Sequence, residues 1–283
     1  MRHARASEFH LDAHRRSVRG FGFMPNALQQ SQKVFRFVQQ RGVRHAGRRA
    51  MLVARDGWMT MVDRRREAPF GVNTGGAVEL TDLAIKSENR SLGFAYVPSP
   101  GLLVATLVSS LSEDLSRFAF VDYGSGKGRA LLVAAHYPFA QVVGAEFSPE
   151  LHAMAEANIA GYLRAERPAR SVRSVCADAA TFDLPEQDLV LYFNNPFAGP
   201  VFDQVLKNIQ AAHERSGRKV YVLYQQLASG LEQDPTDNLA TLQRCEFLRE
   251  RAVRYPSRVA GFLLGSYDLR VFESVKDASR PVG

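Results

Sequence analysis

From Phe118 onward the chain alternates short, apolar, β-rich runs with helical stretches, and this alternation restricts its fold more than any other feature. The β-rich runs are Phe118–Tyr123, Gln141–Phe147, Ser171–Ala177, Asp188–Phe193 and Lys219–Gln225. Lys127–His136, Pro149–Arg164 and Pro200–Arg215 separate them as helices. Repeats of this kind predict a parallel sheet with helices on both faces, joined by crossover connections. The tail offers two further strands, Glu246–Tyr255 and Gly265–Ser274, with no long helix between them, which predicts an antiparallel pair. The expected fold class is therefore α/β, three layers deep, with a mostly parallel sheet that ends in a C-terminal antiparallel hairpin.

Upstream the pattern differs. Leu28, Val34, Phe35 and Val38 recur at helical spacing between Pro25 and Gly42, predicting a helix over Asn26–Arg41. A short second helix is expected over Arg48–Asp56, and an irregular stretch over Arg64–Arg90, where Gly71, Gly75 and Gly76 mark turns. Pro98 and Pro100 lead into an apolar helix over Leu102–Leu115. The net charge of +7 is uneven: residues 1–70 hold 15 Lys+Arg against 5 Asp+Glu, so the remainder is slightly acidic. We accordingly divide the chain into a basic, mainly helical N-terminal segment (1–90) and a catalytic domain (91–283). A basic segment suits an acidic partner such as nucleic acid, an acidic protein face or anionic lipid, or simply a solvated surface.

Cys176 and Cys245 lie far apart and match no metal-ligand spacing, so no metal site is expected and a reducing, cytoplasmic setting is the simpler reading. No apolar run approaches the roughly 20 residues that span a bilayer. The N-terminus carries arginines without an apolar core and cleavage site, so no secretory signal is expected, and Glu8 and Asp12 count against a transit peptide.

The strongest local motif is Phe120-Val121-Asp122-Tyr123-Gly124-Ser125-Gly126-Lys127-Gly128-Arg129, a buried strand that enters a helix through three glycines. Glycine permits the tight turn and lets a ligand approach the backbone. A phosphate-binding loop would need a glycine at Val121 and Ser or Thr at Gly128, and a dinucleotide fingerprint would need G-x-G-x-x-G rather than G-x-G-x-G. Glu146, 24 residues after Asp122, ends the second strand, where a carboxylate can accept from both ribose hydroxyls of a nucleoside. An acid there also serves as a helix cap. Asp178 follows the third strand and can accept from an adenine amino group, with the Ala179 N–H reaching a ring nitrogen; it too could be an N-cap. Asn194-Asn195-Pro196-Phe197 ends the fourth strand, beside the glycine loop.

Together these motifs resemble the class I, seven-stranded, Rossmann-like S-adenosylmethionine-dependent methyltransferases over about Tyr96 to Ser274. Within the class the chain is most similar to the non-SET lysine methyltransferases related to the disruptor-of-telomeric-silencing family, which carry F-V-D-L-G-S-G and N-N-F-A-F-G where this chain has Phe120–Gly126 and Asn194–Gly199. Pro196 departs from that pattern toward the N-P-P-[FY] motif of amino-group methyltransferases, in which Asn195 is the odd residue. Tyr96-Val97-Pro98 resembles the Y-x-P segment ahead of the cofactor loop in such enzymes.

The resemblance implies S-adenosylmethionine as cofactor, held by Tyr96, Asp122, Gly124, Ser125, Gly126, Gly128, Glu146, Phe147, Asp178, Ala179 and Asn194, and Asn194, Asn195, Pro196 and Phe197 as the catalytic segment. An amide oxygen of Asn194 or Asn195 with a backbone carbonyl can accept both N–H bonds of an amine, so the expected acceptor is nitrogen. A protein lysine or another amine comes first, nucleic acid is the alternative, and a silent binding module is the third reading. Tyr96, Tyr192, Phe197 and Tyr224 are candidate aromatic walls for a lysine, while His136, His152 and His213 read as structural.

Overall fold

A computed structural model describes residues 43–166, 171–227, 237–257, 261, 264–265 and 267–275. The helix expected over Asn26–Arg41 lies outside them. Seven strands form one sheet in the order β3-β2-β1-β4-β5-β7-β6: β1 Phe118–Tyr123, β2 Gln141–Glu146, β3 Ser171–Cys176, β4 Asp188–Phe193, β5 Val220–Leu227, β6 Leu248–Arg251 and β7 Tyr267–Ser274. The first five strands pair in parallel, while β7 runs antiparallel to both β5 and β6. The expected fold class is the observed one, with a refinement: the hairpin's second strand inserts next to β5 and pushes β6 to the edge.

Strand composition explains the order. Central β1 and β4 are apolar almost throughout and buried on both faces, whereas edge strand β3 alternates buried and exposed positions. The opposite edge, β6, is four residues long and exposes Arg249, Glu250 and Arg251, charges that discourage pairing with another chain. The two-residue period of β1 divides the core. Phe118 and Phe120 join Leu103, Leu107 and Leu131 in one apolar layer. Ala119, Val121 and Tyr123 join Val201, Phe202 and Leu242 in the other.

The helices are α1 Val43–Glu67, α2 Gly101–Ser109, α3 Arg129–Ala134, α4 Pro149–Glu166, α5 Pro200–Ser216 and α6 Asn238–Arg244. Among the described residues none is long and apolar enough to cross a membrane. Two lengths differ from expectation. Helix α2 stops early because Ser110 turns its hydroxyl back onto the Thr106 carbonyl, after which Asp114 caps a separate turn by accepting from the Ser116 N–H. Helix α1 runs past Asp56 because Met59, Asp63 and Glu67 recur every four residues on one face, and the two acids have a buried partner.

That partner is Arg129, the first residue of α3. Its guanidinium pairs with Asp63 at 3.1 Å and Glu67 at 3.0 Å and donates to Thr74 Oγ1 at 2.6 Å. Burial pushes the Asp63 carboxyl up despite the arginine beside it. Residues 59–90 belong to the compact unit Met59–Gly283, which contains the sheet. Removing one member of a buried ionic cluster strands the others without a counter-charge. Arg129→Ala should therefore lower stability by roughly 3–5 kcal/mol, read as a drop in urea midpoint; an unchanged midpoint would show that Asp63 and Glu67 do not depend on it.

Candidate active site

Because β1 to β4 are parallel, the segments after their carboxyl ends emerge along one edge of the sheet, at the crevice where strand order reverses. The glycine loop after β1 folds back on β2, with the Gly124 and Ser125 N–H groups donating to the Ala145 carbonyl at 2.9 and 3.2 Å. Gly124, Gly126 and Gly128 all have positive φ. Two of them are also covered at close range. A Cβ on Gly124 would lie 2.5 Å from Pro196 Cβ, and one on Gly126 would lie 2.0 Å from the Tyr96 ring. Tyr96, whose hydroxyl donates to the Thr74 carbonyl at 2.7 Å, and Pro196 therefore bound the loop from above.

Glu146 ties the loop to β2. One carboxylate oxygen accepts from the Gly126 N–H at 2.8 Å and the other from Ser148 N–H at 2.9 Å. A carboxylate offers about four acceptor positions, so each oxygen can take a further donor. Burial pushes Glu146 up to about 7 against the pull of those N–H groups. Burial and the neighbouring Glu146 charge push Asp122 up to about 8. Cys176 and Cys245 are free thiols.

The residues on either side of Glu146, Ala145 and Phe147, line an open cleft with Gly124, Ala177, Asp178, Ala179, Pro196, Phe197 and Val201, together with Asn89 and Gly93. Apolar walls with a few polar groups at one end are what a planar heterocycle requires. The Phe147 ring packs so closely on Gly93 that a Cβ there would lie 2.8 Å from it. The Phe94 N–H donates to the Pro196 carbonyl, and the Ala198 N–H to the Leu92 carbonyl, each at 3.2 Å. The stretch from 92 to 94 is thus stitched to the segment after β4.

Asp178 is more occupied than its sequence position suggests. It caps the turn after β3 by accepting from the Ala180 N–H, and its other oxygen accepts from Ser87 Oγ and Asn89 Nδ2. Burial opposes the charge, but the bonds from Ser87, Ala180 and Asn89 outweigh it and hold the carboxyl below its ordinary range.

The structure separates the two asparagines. Asn195, at φ +44, has Tyr224 Oη and Asn238 Nδ2 each 3.0 Å from its amide oxygen. Asn194 donates through Nδ2 to the Val97 carbonyl at 3.2 Å and accepts on Oδ1 from Gln225 Nε2 at 3.2 Å. The Val97 carbonyl can only accept, which fixes the orientation of the Asn194 amide. Tyr192 and Tyr224 are fully buried core residues with hydrogen-bonded hydroxyls, and of the four aromatic candidates only Phe197 borders the cleft. Ser87, Asn89, Gln225 and Asn238 carried no local sequence signal.

No family model matches the chain, and no curated protein does. Similar solved structures include a TehB-like SAM-dependent methyltransferase from Corynebacterium glutamicum, 17% identical over 61% of this chain and 88% of that one, with a TM-score of 0.41. A ribosomal protein L11 methylase from Lactobacillus delbrueckii subsp. bulgaricus is 12% identical over 62% and 77%, with a TM-score of 0.40. Phosphoethanolamine N-methyltransferase 1 from Haemonchus contortus, solved with S-adenosylhomocysteine, is 13% identical over 64% and 43%, with a TM-score of 0.43.

Because Asp122 and Glu146 titrate above their ordinary values, the folded chain retains protons that the unfolded chain releases between about pH 4 and pH 8. Their joint contribution to stability therefore falls as pH rises through that window. Asparagine cannot ionise, so the urea midpoint of Asp122→Asn relative to wild type should rise from pH 5.5 to pH 8. A difference that stays constant or shrinks would contradict the buried, raised carboxyl.

Proposed function

We propose that this chain is an S-adenosylmethionine-dependent methyltransferase acting on nitrogen, with a protein lysine or another amine as acceptor. The observation that carries the proposal is the buried Glu146 carboxylate, held by the Gly126 N–H of the glycine loop and flanked in sequence by Ala145 and Phe147, which line a cleft together with Asp178. A nucleoside fits these groups: ribose hydroxyls on the remaining acceptor positions of Glu146, a purine against Phe147, and its amino edge toward Asp178. The close cover of Gly124 and Gly126 explains why no larger residue serves in the loop. The sheet order, the G-x-G-x-G loop and the Asn-Asn-Pro-Phe segment support the same class.

S-adenosylmethionine supplies a methyl group already activated on a sulfonium. The protein's task is to hold acceptor, methyl and sulfur in line, which is worth roughly 7–11 kcal/mol. Asn194 is the better placed of the two asparagines: its oxygen takes a single internal donor, while that of Asn195 is flanked by two. A nitrogen acceptor donating to Asn194 Oδ1 would have its lone pair aimed away from that bond. A lysine would first lose a proton from an ammonium of pKa about 10.4, and the desolvating wall nearest the segment is Phe197.

The basic N-terminal charge and the exposed Arg64, Arg65 and Arg66 favour a second reading, an acceptor on nucleic acid. Labelled-methyl transfer into a lysate distinguishes the two. Label released by protease supports the protein reading, label released by nuclease supports the other, and no transfer to either would remove the enzyme proposal.

Asn194→Ala should lower turnover by roughly 10²-fold, about 2.7 kcal/mol, with cofactor affinity unchanged. Asn195→Ala should instead lower stability by about 1–3 kcal/mol, because it removes an acceptor that the Tyr224 hydroxyl and the Asn238 amide share. Equal effects of both on turnover alone would refute that division. A chain beginning at Met59 retains Asp63 and Glu67 for Arg129 and should still bind S-adenosylhomocysteine while methylating its acceptor poorly. Full methylation by it would make the basic segment dispensable.

A further inference from the structure

We infer that Asn89, and not Asp178 alone, reads the 6-amino group of the cofactor's adenine, with Asp178 acting to aim the Asn89 amide. The inference rests on the nucleoside-binding reading of the cleft. Asn89 and Asp178 line the same cleft, otherwise walled by Phe147, Ala177, Phe197 and Val201. Asp178 is ionised and can only accept. The Asn89 atom 2.9 Å from its Oδ2 must therefore be the Nδ2 donor, and the amide oxygen is the group left for a ligand. Among the described residues no protein donor meets that oxygen.

The backbone under Asn89 is equally fixed. Its N–H donates to Ser87 Oγ at 3.0 Å, capping the turn Glu88–Leu92, and Ser87 Oγ itself donates to Asp178. Four residues on, Gly93 packs on Phe147 and forms a bridge with Phe197, so the turn is tied to the cleft at its far end too. Asp178 spends one oxygen on Ser87 and Asn89 and keeps capacity on the oxygen that accepts from Ala180. The edge of the cleft thus presents two acceptors, Asn89 Oδ1 and Asp178 Oδ1. An exocyclic –NH₂ has two N–H groups to match them. The 6-oxo group of hypoxanthine would place a third acceptor against the pair, and a site built to receive donors rejects such an analogue strongly.

The test is calorimetric titration of the whole chain with S-adenosylhomocysteine and with S-inosylhomocysteine, for wild type, Asn89→Ala and Ser87→Ala. Wild type should prefer the adenine ligand by at least about tenfold, a difference of about 1.4 kcal/mol. Asn89→Ala should lose most of that preference by binding the adenine ligand more weakly, while Ser87→Ala, which disturbs the same turn, should keep it. Asn89→Ser is the substitute if Asn89→Ala fails to give a cooperative melt. Equal weakening of both ligands by Asn89→Ala would mean that the residue only holds the turn, and would overturn the proposal, as would unchanged binding of both. If wild type binds neither ligand, the cofactor reading itself falls, an outcome distinct from wild-type binding that Asn89→Ala leaves unaltered.

Discussion

The hydrogen bond from the Gly126 N–H to the buried Glu146 carboxylate joins the two strands on which the site is built. It holds a loop of positive-φ glycines in one conformation, and it keeps an acid at the carboxyl end of β2 where water does not solvate it. Tyr96 and Pro196 then close over the glycines that this bond has set, and Gly124 and Pro196 also line the cleft. The bond has a cost, since the same burial pushes Glu146 and Asp122 above the ordinary carboxylate range. Ribose hydroxyls donating to Glu146 would offset that cost by stabilising its ionised form, so the reading ties affinity to ionisation: binding should strengthen as pH rises through about 7.

How much was legible follows from sequence separation. The glycine loop, Asp122 and Glu146 sit in a strand–turn–helix and at the end of the next strand, so local pattern and strand order were enough to place them. The strands could be read because apolar runs mark buried positions, and β1 and β4 are buried on both faces. The bonds that finish the site are not local. Ser87 and Asn89 meet Asp178 across 91 and 89 residues, and Arg129 meets Asp63 across 66. A search for apolar periodicity passes over such residues, because their burial is made possible by a distant charge or amide. Helix α1 shows the same blindness, since Asp63 and Glu67, the residues that follow Met59 at four-residue spacing, are acids paired with Arg129. Helix α6 escaped notice as a seven-residue element whose chief role is Asn238, which donates to Asn195 and to the Phe197 carbonyl.

In the segment after β4 two neighbouring residues of one kind take different partners. Asn194 and Asn195 are neighbours with the same side chain, and nothing in their order distinguishes them. The fold does. Gln225 of β5 donates to Asn194, while Tyr224 of β5 and Asn238 of α6 meet the Asn195 amide oxygen. Asn195 has the left-handed backbone, and its amide oxygen has two donors where that of Asn194 has one.

The most direct measurement is the equilibrium binding of S-adenosylhomocysteine to the whole, unmodified chain. The account predicts saturable binding at one site per chain that S-adenosylmethionine displaces and NAD or ATP does not, because the loop lacks both the dinucleotide and the phosphate-binding spacing. No detectable binding, or displacement by either nucleotide, would contradict it.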